Sequence, residues 1–268
     1  MQSQDNGKMP YDFAGKRVLV TAASSGIGKA TAAAFQIAGA QVAICARGQD
    51  KLMQTKHELE AMGVQPVFAQ ATDLSDFKDI NRLVDSIEQH FGSLDVLVNN
   101  AGGPPPGAHR DLDDGQWAKA FDLTLRSAIR ITDRVLPSMK KSEDGRIINL
   151  SSYSVKQPMS GMMLSNSIRL AALGWAKTLS NELAPYNILV NTICTGWTQT
   201  SRVEQLLDSR ATEQRASRET IAKDITSSIP LNRMARPEEI ASVVLFLASP
   251  AASYITGAAI PVDGGCSQ

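Results

Sequence analysis

Small and hydroxyl-bearing residues follow the first predicted strand at a spacing that suits phosphate binding. Val18–Val20 is a short apolar run typical of a buried parallel strand, and Thr21–Gly28 (TAASSGIG) follows it directly. An alanine-rich helix begins there and ends near Gly39. Such a turn leaves backbone N–H groups free at a helix N-terminus, and Gly26 and Gly28 permit a phosphate to approach closely. Ordinary turn formation would explain the same residues, so later stretches of the chain must decide between the two interpretations.

Polar residues also follow the other predicted strands. Arg47 comes after the second strand, where an arginine suits a dinucleotide 2′-phosphate; the alternative is a surface arginine. Asp73 follows the third strand and either caps a helix or reaches an adenine. Asn99–Gly102 (NNAG) follows the fourth strand and either borders a ribose or nicotinamide or simply forms a turn. Ser151–Ser152 and Cys194–Thr198 follow the fifth and sixth strands.

Strands alternate with helices along the whole chain, which predicts a single α/β domain with a doubly wound parallel sheet and helices on both faces. The ligand is then expected at the carboxyl ends of the strands. Residues 1–13 are expected to form a flexible arm, 14–268 the domain, and 201–224 a mobile helical flap or an exposed helix. The predicted strands cover residues 18–20, 41–46, 64–70, 94–98, 146–150, 187–193 and 259–262, and the later predicted helices cover about 49–62, 75–91, 116–139, 160–183 and 238–248.

Composition excludes several classes of function. The chain has 268 residues, with 27 basic and 27 acidic side chains, so no charge excess favours nucleic acid or an anionic membrane. No apolar run approaches the length of a membrane span, and the N-terminus lacks the apolar segment of a signal peptide. The histidines and cysteines show no metal-ligand spacing, so we predict no metal site. The chain has three widely spaced cysteines: Cys45, Cys194 and Cys266. Their odd number and wide spacing do not suit a disulfide framework and favour a reduced, cytoplasmic location.

Taken together, these stretches resemble the short-chain dehydrogenase/reductase family, especially its 3-oxoacyl-carrier-protein reductase-like members, over about residues 13–265. The shared stretches are VTAASSGIG, the Asp-Leu after the third strand, NNAG, GRIINLSS, the Val-Asn before Cys194, the segment from Gly196 to Thr200, and TGAAIPVDGG. The resemblance implies a Rossmann fold and a dinucleotide-dependent oxidoreductase with a small-molecule substrate. It also implies a homodimer or homotetramer.

The resemblance further implies which residues bind the cofactor. Arg47 follows Ala46 rather than an acidic residue, which favours NADP(H) over NAD(H). The implied cofactor-binding residues are Thr21, Ser24, Ser25, Gly26, Ile27, Gly28, Arg47, Asp73, Leu74, Asn100, Ala101, Gly102, Gly196 and Thr198.

At the implied catalytic positions the chain departs from the family. The catalytic serine corresponds to Ser152, whereas the active-site asparagine corresponds to Thr124. The family's Tyr-x-x-x-Lys is replaced by Ser165 and Arg169, as in an atypical branch of the family. An alkyl hydroxyl is a much poorer acid than a phenol, and arginine stays protonated. The two side chains are four residues apart and are expected on one side of a helix, facing the cofactor.

The sequence therefore predicts an NADP(H)-dependent oxidoreductase acting on a small or medium carbonyl or alcohol substrate. The alternatives are a nucleotide- or ligand-binding protein without redox turnover, and a non-redox isomerase or lyase on the same fold. Two nearby pairs, Tyr153 with Lys156 and His109 with Arg110, either take over part of the chemistry or are ordinary loop residues. Met159–Leu164 is expected to form either an apolar substrate wall or a contact between subunits.

Overall fold

A computed structural model describes residues 11–63 and 65–267 as seven strands with helices between them. The strands are β1 (Arg17–Val20), β2 (Gln41–Ala46), β3 (Phe68–Ala71), β4 (Val96–Asn99), β5 (Gly145–Ser152), β6 (Ile188–Thr195) and β7 (Ala259–Val262). The α-helices are α1 (Gly26–Ile37), α2 (Gln49–Glu60), α3 (Phe77–Phe91), α4 (Asp114–Phe121), α5 (Ser127–Ser142), α6 (Met163–Leu183), α7 (Ser201–Gln214), α8 (Arg218–Ser227) and α9 (Pro237–Ala248).

All seven strands form one parallel sheet in the order β3-β2-β1-β4-β5-β6-β7. The chain builds the sheet outward from β1 on one side and then returns to extend it from β4 on the other. The strand order therefore reverses between β1 and β4. In a doubly wound sheet this is the place where a crevice opens for a ligand. The predicted fold class is confirmed.

Alternate residues of β1 pack on opposite faces of the sheet. Val18 and Val20 belong to a core cluster with Phe35 of α1 and Val244 of α9. Leu19 belongs to the opposite cluster, which contains residues of α3, α5 and α6. Because both faces are covered, residues Val18–Val20 of β1 are all apolar, as expected for a buried parallel strand.

Several boundaries differ from the sequence-based expectation. β3 begins at Phe68 rather than at Val64, which lies outside the described residues; the preceding Pro66 has no N–H to donate to a ladder. β5 extends to Ser152, so both predicted serines belong to the strand itself. The helix expected over 116–139 is interrupted by a π-helical turn at Asp122–Arg126.

The structure can be compared with the two segments that were expected to be flexible, the N-terminal arm and the flap. Residues 1–10 of the expected arm lie outside the described residues. Tyr11 packs near Phe246, and Phe13 is buried against Phe35, which differs from a loose arm extending to residue 13. The stretch expected to be a flap forms α7 and α8, and its mobility stays a prediction.

Within the described chain, no helix is both long and apolar enough to cross a membrane.

Candidate active site

One cleft of about 600 Å³ opens at the carboxyl ends of the strands, beside the β1–β4 crevice. It brings together residues from β1 to β6 and from the start of α7. Fourteen of the eighteen predicted site residues line it: Ser24, Ser25, Gly26, Ile27, Arg47, Leu74, Asn100, Ala101, Gly102, Ser152, Ser165, Arg169, Gly196 and Thr198. The other four, Thr21, Gly28, Asp73 and Thr124, do not line it.

The turn after β1 presents the N-terminus of α1 to this cleft. Ser25 precedes the helix in an extended conformation, and its side chain makes no capping hydrogen bond. Gly26 has φ +55°, and a Cβ there would lie 3.0 Å from the Thr200 Cγ2 atom. The first amides of α1 therefore lack a side-chain partner at a place where only glycine lets the chain fit, which suits a phosphate.

Thr21 and Gly28 support this turn from behind instead of lining the cleft. Thr21 is 1% exposed, and its hydroxyl donates to the Asn100 carbonyl at 2.6 Å. The Asn100 side-chain amide donates to the Thr21 and Ala22 carbonyls at 3.1 and 3.2 Å. A Cβ on Gly28 would lie 2.6 Å from the Asn100 Nδ2 atom. These contacts connect the turn to the end of β4. The structure therefore indicates that Thr21 and Gly28 support the turn and do not contact a ligand directly.

Cationic side chains lie at the β2 end of the cleft. Exposed Arg47 lines this end together with Lys51, which is four residues further on in α2. Asp73 instead accepts hydrogen bonds from the Ser75 hydroxyl at 2.7 Å and from the Ser75 N–H at 2.9 Å. These bonds lower the pKa of Asp73, with Arg47 contributing as a nearby charge. Asp73 thus stabilises the turn before α3, whereas the cap of α3 is Asp76, whose side chain accepts from the Lys78 N–H.

The residues predicted to be catalytic approach the cleft from β5 and α6. Ser152 lies at the end of β5, and its Oγ atom accepts from the Ser154 N–H at 3.2 Å. Ser165 and Arg169 lie one turn apart in α6 and both line the cleft, as their spacing predicts. Arg169 donates to the Leu150 carbonyl at 3.2 Å. Burial, with Arg202 as a second cause, lowers the pKa of Arg169 to about 10, so the guanidinium is cationic at neutral pH.

Thr124 lies in the π-helical turn and lines a second, smaller cavity of about 30 Å³. Its hydroxyl has no hydrogen-bond partner among the described residues, and the same holds for the Ser151 hydroxyl and the Asn149 amide nitrogen. A polar cavity of this volume suits about two water molecules. Arg169 lines both cavities, whereas Thr124 lines only the smaller one and not the cleft.

Of the two replacement pairs, only Tyr153 reaches the cleft. Burial, with the nearby Cys266 side chain as a second cause, raises the pKa of Tyr153 to about 12. The phenol therefore stays protonated at neutral pH and is a weak acid. Lys156 is exposed and does not line the cleft. His109 and Arg110 lie in an exposed 3₁₀ turn away from the cleft.

Sequence reasoning missed two cationic residues of the cleft, Lys51 and Arg202. Lys51 could have been found because it follows Arg47 by four residues. Arg202 lies two residues after Thr200, inside the stretch interpreted only as a flap. Among the described residues, no group of three or more histidine, cysteine or acidic side chains could hold a metal ion.

Ala22 offers a test of the turn's geometry, because it has φ +47°, in the left-handed region that favours glycine. Ala22→Gly should raise the free energy of unfolding by about 0.5–1 kcal/mol, since the relief of backbone strain exceeds the added entropy of the unfolded chain. Urea denaturation measures the change. The control is Ala23→Gly, at a buried position without positive φ, which should lower stability by about 1 kcal/mol. A loss of stability in Ala22→Gly would contradict the strained turn.

Comparisons with known proteins identify the family to which the chain belongs. The family described as Enoyl-(Acyl carrier protein) reductase matches residues 21–267. The 3-oxoacyl-[acyl-carrier-protein] reductase of Thermotoga maritima is 35% identical over 253 residues, which cover 94% of this chain and 97% of the relative.

Two solved structures are similar over nearly their whole length. L-sorbose reductase from Gluconobacter frateurii, complexed with NADPH and L-sorbose, has a TM-score of 0.90 and 31% identity, with 95% of this chain and 97% of that chain covered. An NADPH-bound short chain oxidoreductase from Pseudomonas aeruginosa PAO1, described as containing an atypical catalytic center, has a TM-score of 0.87 and 30% identity, with 97% and 99% covered. The chain therefore belongs to the short-chain dehydrogenase/reductase family of oxidoreductases.

Proposed function

We propose that the protein is an NADP(H)-dependent oxidoreductase that interconverts a carbonyl group and an alcohol on a small or medium substrate. The observation that carries the proposal is a single cleft in which the helix N-terminus after β1, Arg47 and the Ser152, Ser165 and Arg169 side chains meet. Relatives solved with NADPH support the same cofactor for this chain.

The cleft fits a phosphorylated dinucleotide. The unpartnered amides at the start of α1 suit its pyrophosphate, because a helix N-terminus carries partial positive charge. Arg47 and Lys51 suit the additional 2′-phosphate that distinguishes NADP(H) from NAD(H). None of the described residues that line the cleft is acidic, so the phosphates meet no like charge there.

The chain's own residues supply binding and charge stabilisation for the reaction. A bound nicotinamide dinucleotide supplies a hydride to the carbonyl carbon, and the carbonyl oxygen then gains a proton. Ser152 and Ser165 offer hydroxyl donors to that oxygen. Arg169 offsets the negative charge that develops on it, in a partly buried place where such stabilisation is strong. Because Ser165 is a poor acid, we assign delivery of the proton to solvent in the open cleft.

The Pseudomonas aeruginosa relative supports turnover without the usual residues. That protein is an oxidoreductase described as having an atypical catalytic center, and it shares 30% of its sequence with this chain. An unusual set of catalytic side chains is thus compatible with NADPH binding on this fold. The description of that relative as an oxidoreductase supports the redox interpretation for this chain.

The assignment of Arg47 predicts a difference between the two dinucleotides. Arg47→Asp should weaken NADPH binding by about 30-fold or more, because a charge-assisted contact is lost and a repulsive charge is added. NADH lacks the 2′-phosphate, so its affinity should change by less than about threefold. Calorimetric titration of both dinucleotides measures the effect, with Arg110→Ala as a control at an exposed arginine outside the cleft. Equal losses for NADPH and NADH would remove Arg47 from the 2′-phosphate site.

The proposed role of Arg169 predicts a loss of turnover without loss of the fold. A panel of ketones, aldehydes and oxo acids is tested for NADPH consumption by the unaltered protein. With any substrate found, Arg169→Ala should lower kcat/KM by about 100-fold, and Arg169→Lys should retain more activity because the charge stays. Unchanged thermal midpoints would show that both variants fold. Full activity in both Arg169→Ala and Ser152→Ala would contradict the catalytic assignment. NADPH binding without reduction of any carbonyl would contradict the proposed function.

A further inference from the structure

Two arginines lie at the inner end of the cleft, on the side of the predicted catalytic residues. Arg169 extends from α6 and Arg202 from the first turn of α7, and both line the cleft. Each is only partly exposed and is positioned by one backbone carbonyl. Arg169 donates to the Leu150 carbonyl at 3.2 Å, and Arg202 donates to the Pro104 carbonyl at 2.6 Å. Each planar guanidinium carries five N–H donors, so several remain available to a ligand.

Neither arginine has an acidic partner among the described residues. Burial lowers the pKa of Arg202, and burial together with the nearby Arg202 charge lowers the pKa of Arg169. No described aspartate or glutamate lines the cleft, although the whole chain has as many acidic as basic side chains. Partly buried cations without an acidic partner are unfavourable unless an anion binds to them. The site is therefore arranged for a negatively charged ligand.

The position of the arginine pair favours the substrate over the cofactor as the source of that charge. The proposed function already assigns the phosphates of a dinucleotide to the amides at the start of α1 and to Arg47 and Lys51. The pair instead lies with Ser165, one helical turn from Arg169, and with the loop after β4. Apolar side chains of one cluster line the same cleft, and they include Tyr153, Met159, Met162, Trp197 and Leu206.

We propose that Arg169 and Arg202 bind the carboxylate of an oxo-acid or hydroxy-acid substrate whose carbon chain or ring packs on this apolar wall. A guanidinium matches a carboxylate in a two-pronged hydrogen-bonded arrangement, and two guanidiniums can take one oxygen each. The proposal rests on the proposed function and narrows its substrate class. It also gives α7 a role, because the flap helix carries one of the two carboxylate-binding residues.

The kinetic test compares acids with their uncharged esters. The substrates are benzoylformate and acetoacetate and their methyl esters, reduced with NADPH by the unaltered protein and by Arg202→Ala. The unaltered protein should prefer an acid over its ester by about tenfold or more, and Arg202→Ala should lower kcat/KM for the acid by about 100-fold. The ester should change by less than about threefold, because it makes no ionic contact. Lys223→Ala, which removes an exposed charge from α8 outside the cleft, is the matched control.

Two results would overturn the proposal. Equal losses for acid and ester in Arg202→Ala would show that Arg202 does not contact the carboxylate. A rise of about tenfold or more in the Kd of NADPH for Arg202→Ala, measured by calorimetry, would assign the pair to a cofactor phosphate instead. An unchanged Kd for NADPH, together with a loss confined to the acids, supports the proposal.

A binding measurement separates this proposal from the proposed function. Mandelate and the neutral mandelamide are titrated into the protein saturated with NADP⁺, with no turnover required. Binding of mandelate but not of mandelamide, lost in Arg202→Ala and kept in Lys223→Ala, supports the carboxylate site even if no carbonyl compound is reduced. Equal binding of the two compounds, or no binding of mandelate, overturns it. Thermal midpoints of the variants identify any that fail to fold.

Discussion

The hydrogen bonds between Asn100 and the turn after β1 determine the shape of the whole cleft. Asn100 lies just beyond β4, and its amide donates to two successive carbonyls of the turn, at Thr21 and Ala22. Thr21 completes the connection by donating to the Asn100 carbonyl. These bonds join the ends of β1 and β4 at the point where the strand order reverses. The first amides of α1 therefore face the crevice. Gly28 is required for the same approach, because a side chain there would collide with Asn100.

The two ends of the cleft depend differently on this arrangement. The end proposed to bind phosphate uses backbone amides of a fixed turn, in which Ala22 adopts a positive φ at a cost in backbone strain. The catalytic end uses side chains from β5, α6 and α7, and there the replacements change the chemistry. Where the family has a phenol and an amine, this chain has a serine and an arginine, which removes a good proton donor but keeps a cation. The reaction that we propose would therefore depend more on electrostatic stabilisation than on acid catalysis.

The sequence predicts the sheet and the position of the turn after β1 well because both follow from local patterns. Short apolar runs ended by small polar residues predict the strands, and the spacing of Ser165 and Arg169 places both on one side of α6. The start of β3 was wrong by four residues, since Pro66 and its neighbours do not join the ladder that the apolar pattern suggested.

The features that the sequence did not predict depend on contacts between residues far apart in the chain. The π-helical turn withdraws Thr124 from the cleft into a cavity behind Arg169, and a helical pattern of period 3.6 contains no sign of this. Arg202 joins the cleft only because α7 packs over the loop after β4. Phe13 is buried in a core cluster that includes residues of α1 and β2. The polar residues around Phe13 in the sequence do not predict this burial.

Calorimetric titration of the unaltered protein with NADPH and, separately, with NADH tests the central claim most directly. That claim is that the chain keeps a complete NADP(H) site although its catalytic residues have changed. The account predicts a Kd on the order of micromolar for NADPH, at least about tenfold tighter than for NADH. Absence of binding for both dinucleotides would contradict it, because the turn after β1 and Arg47 would then not form a dinucleotide site.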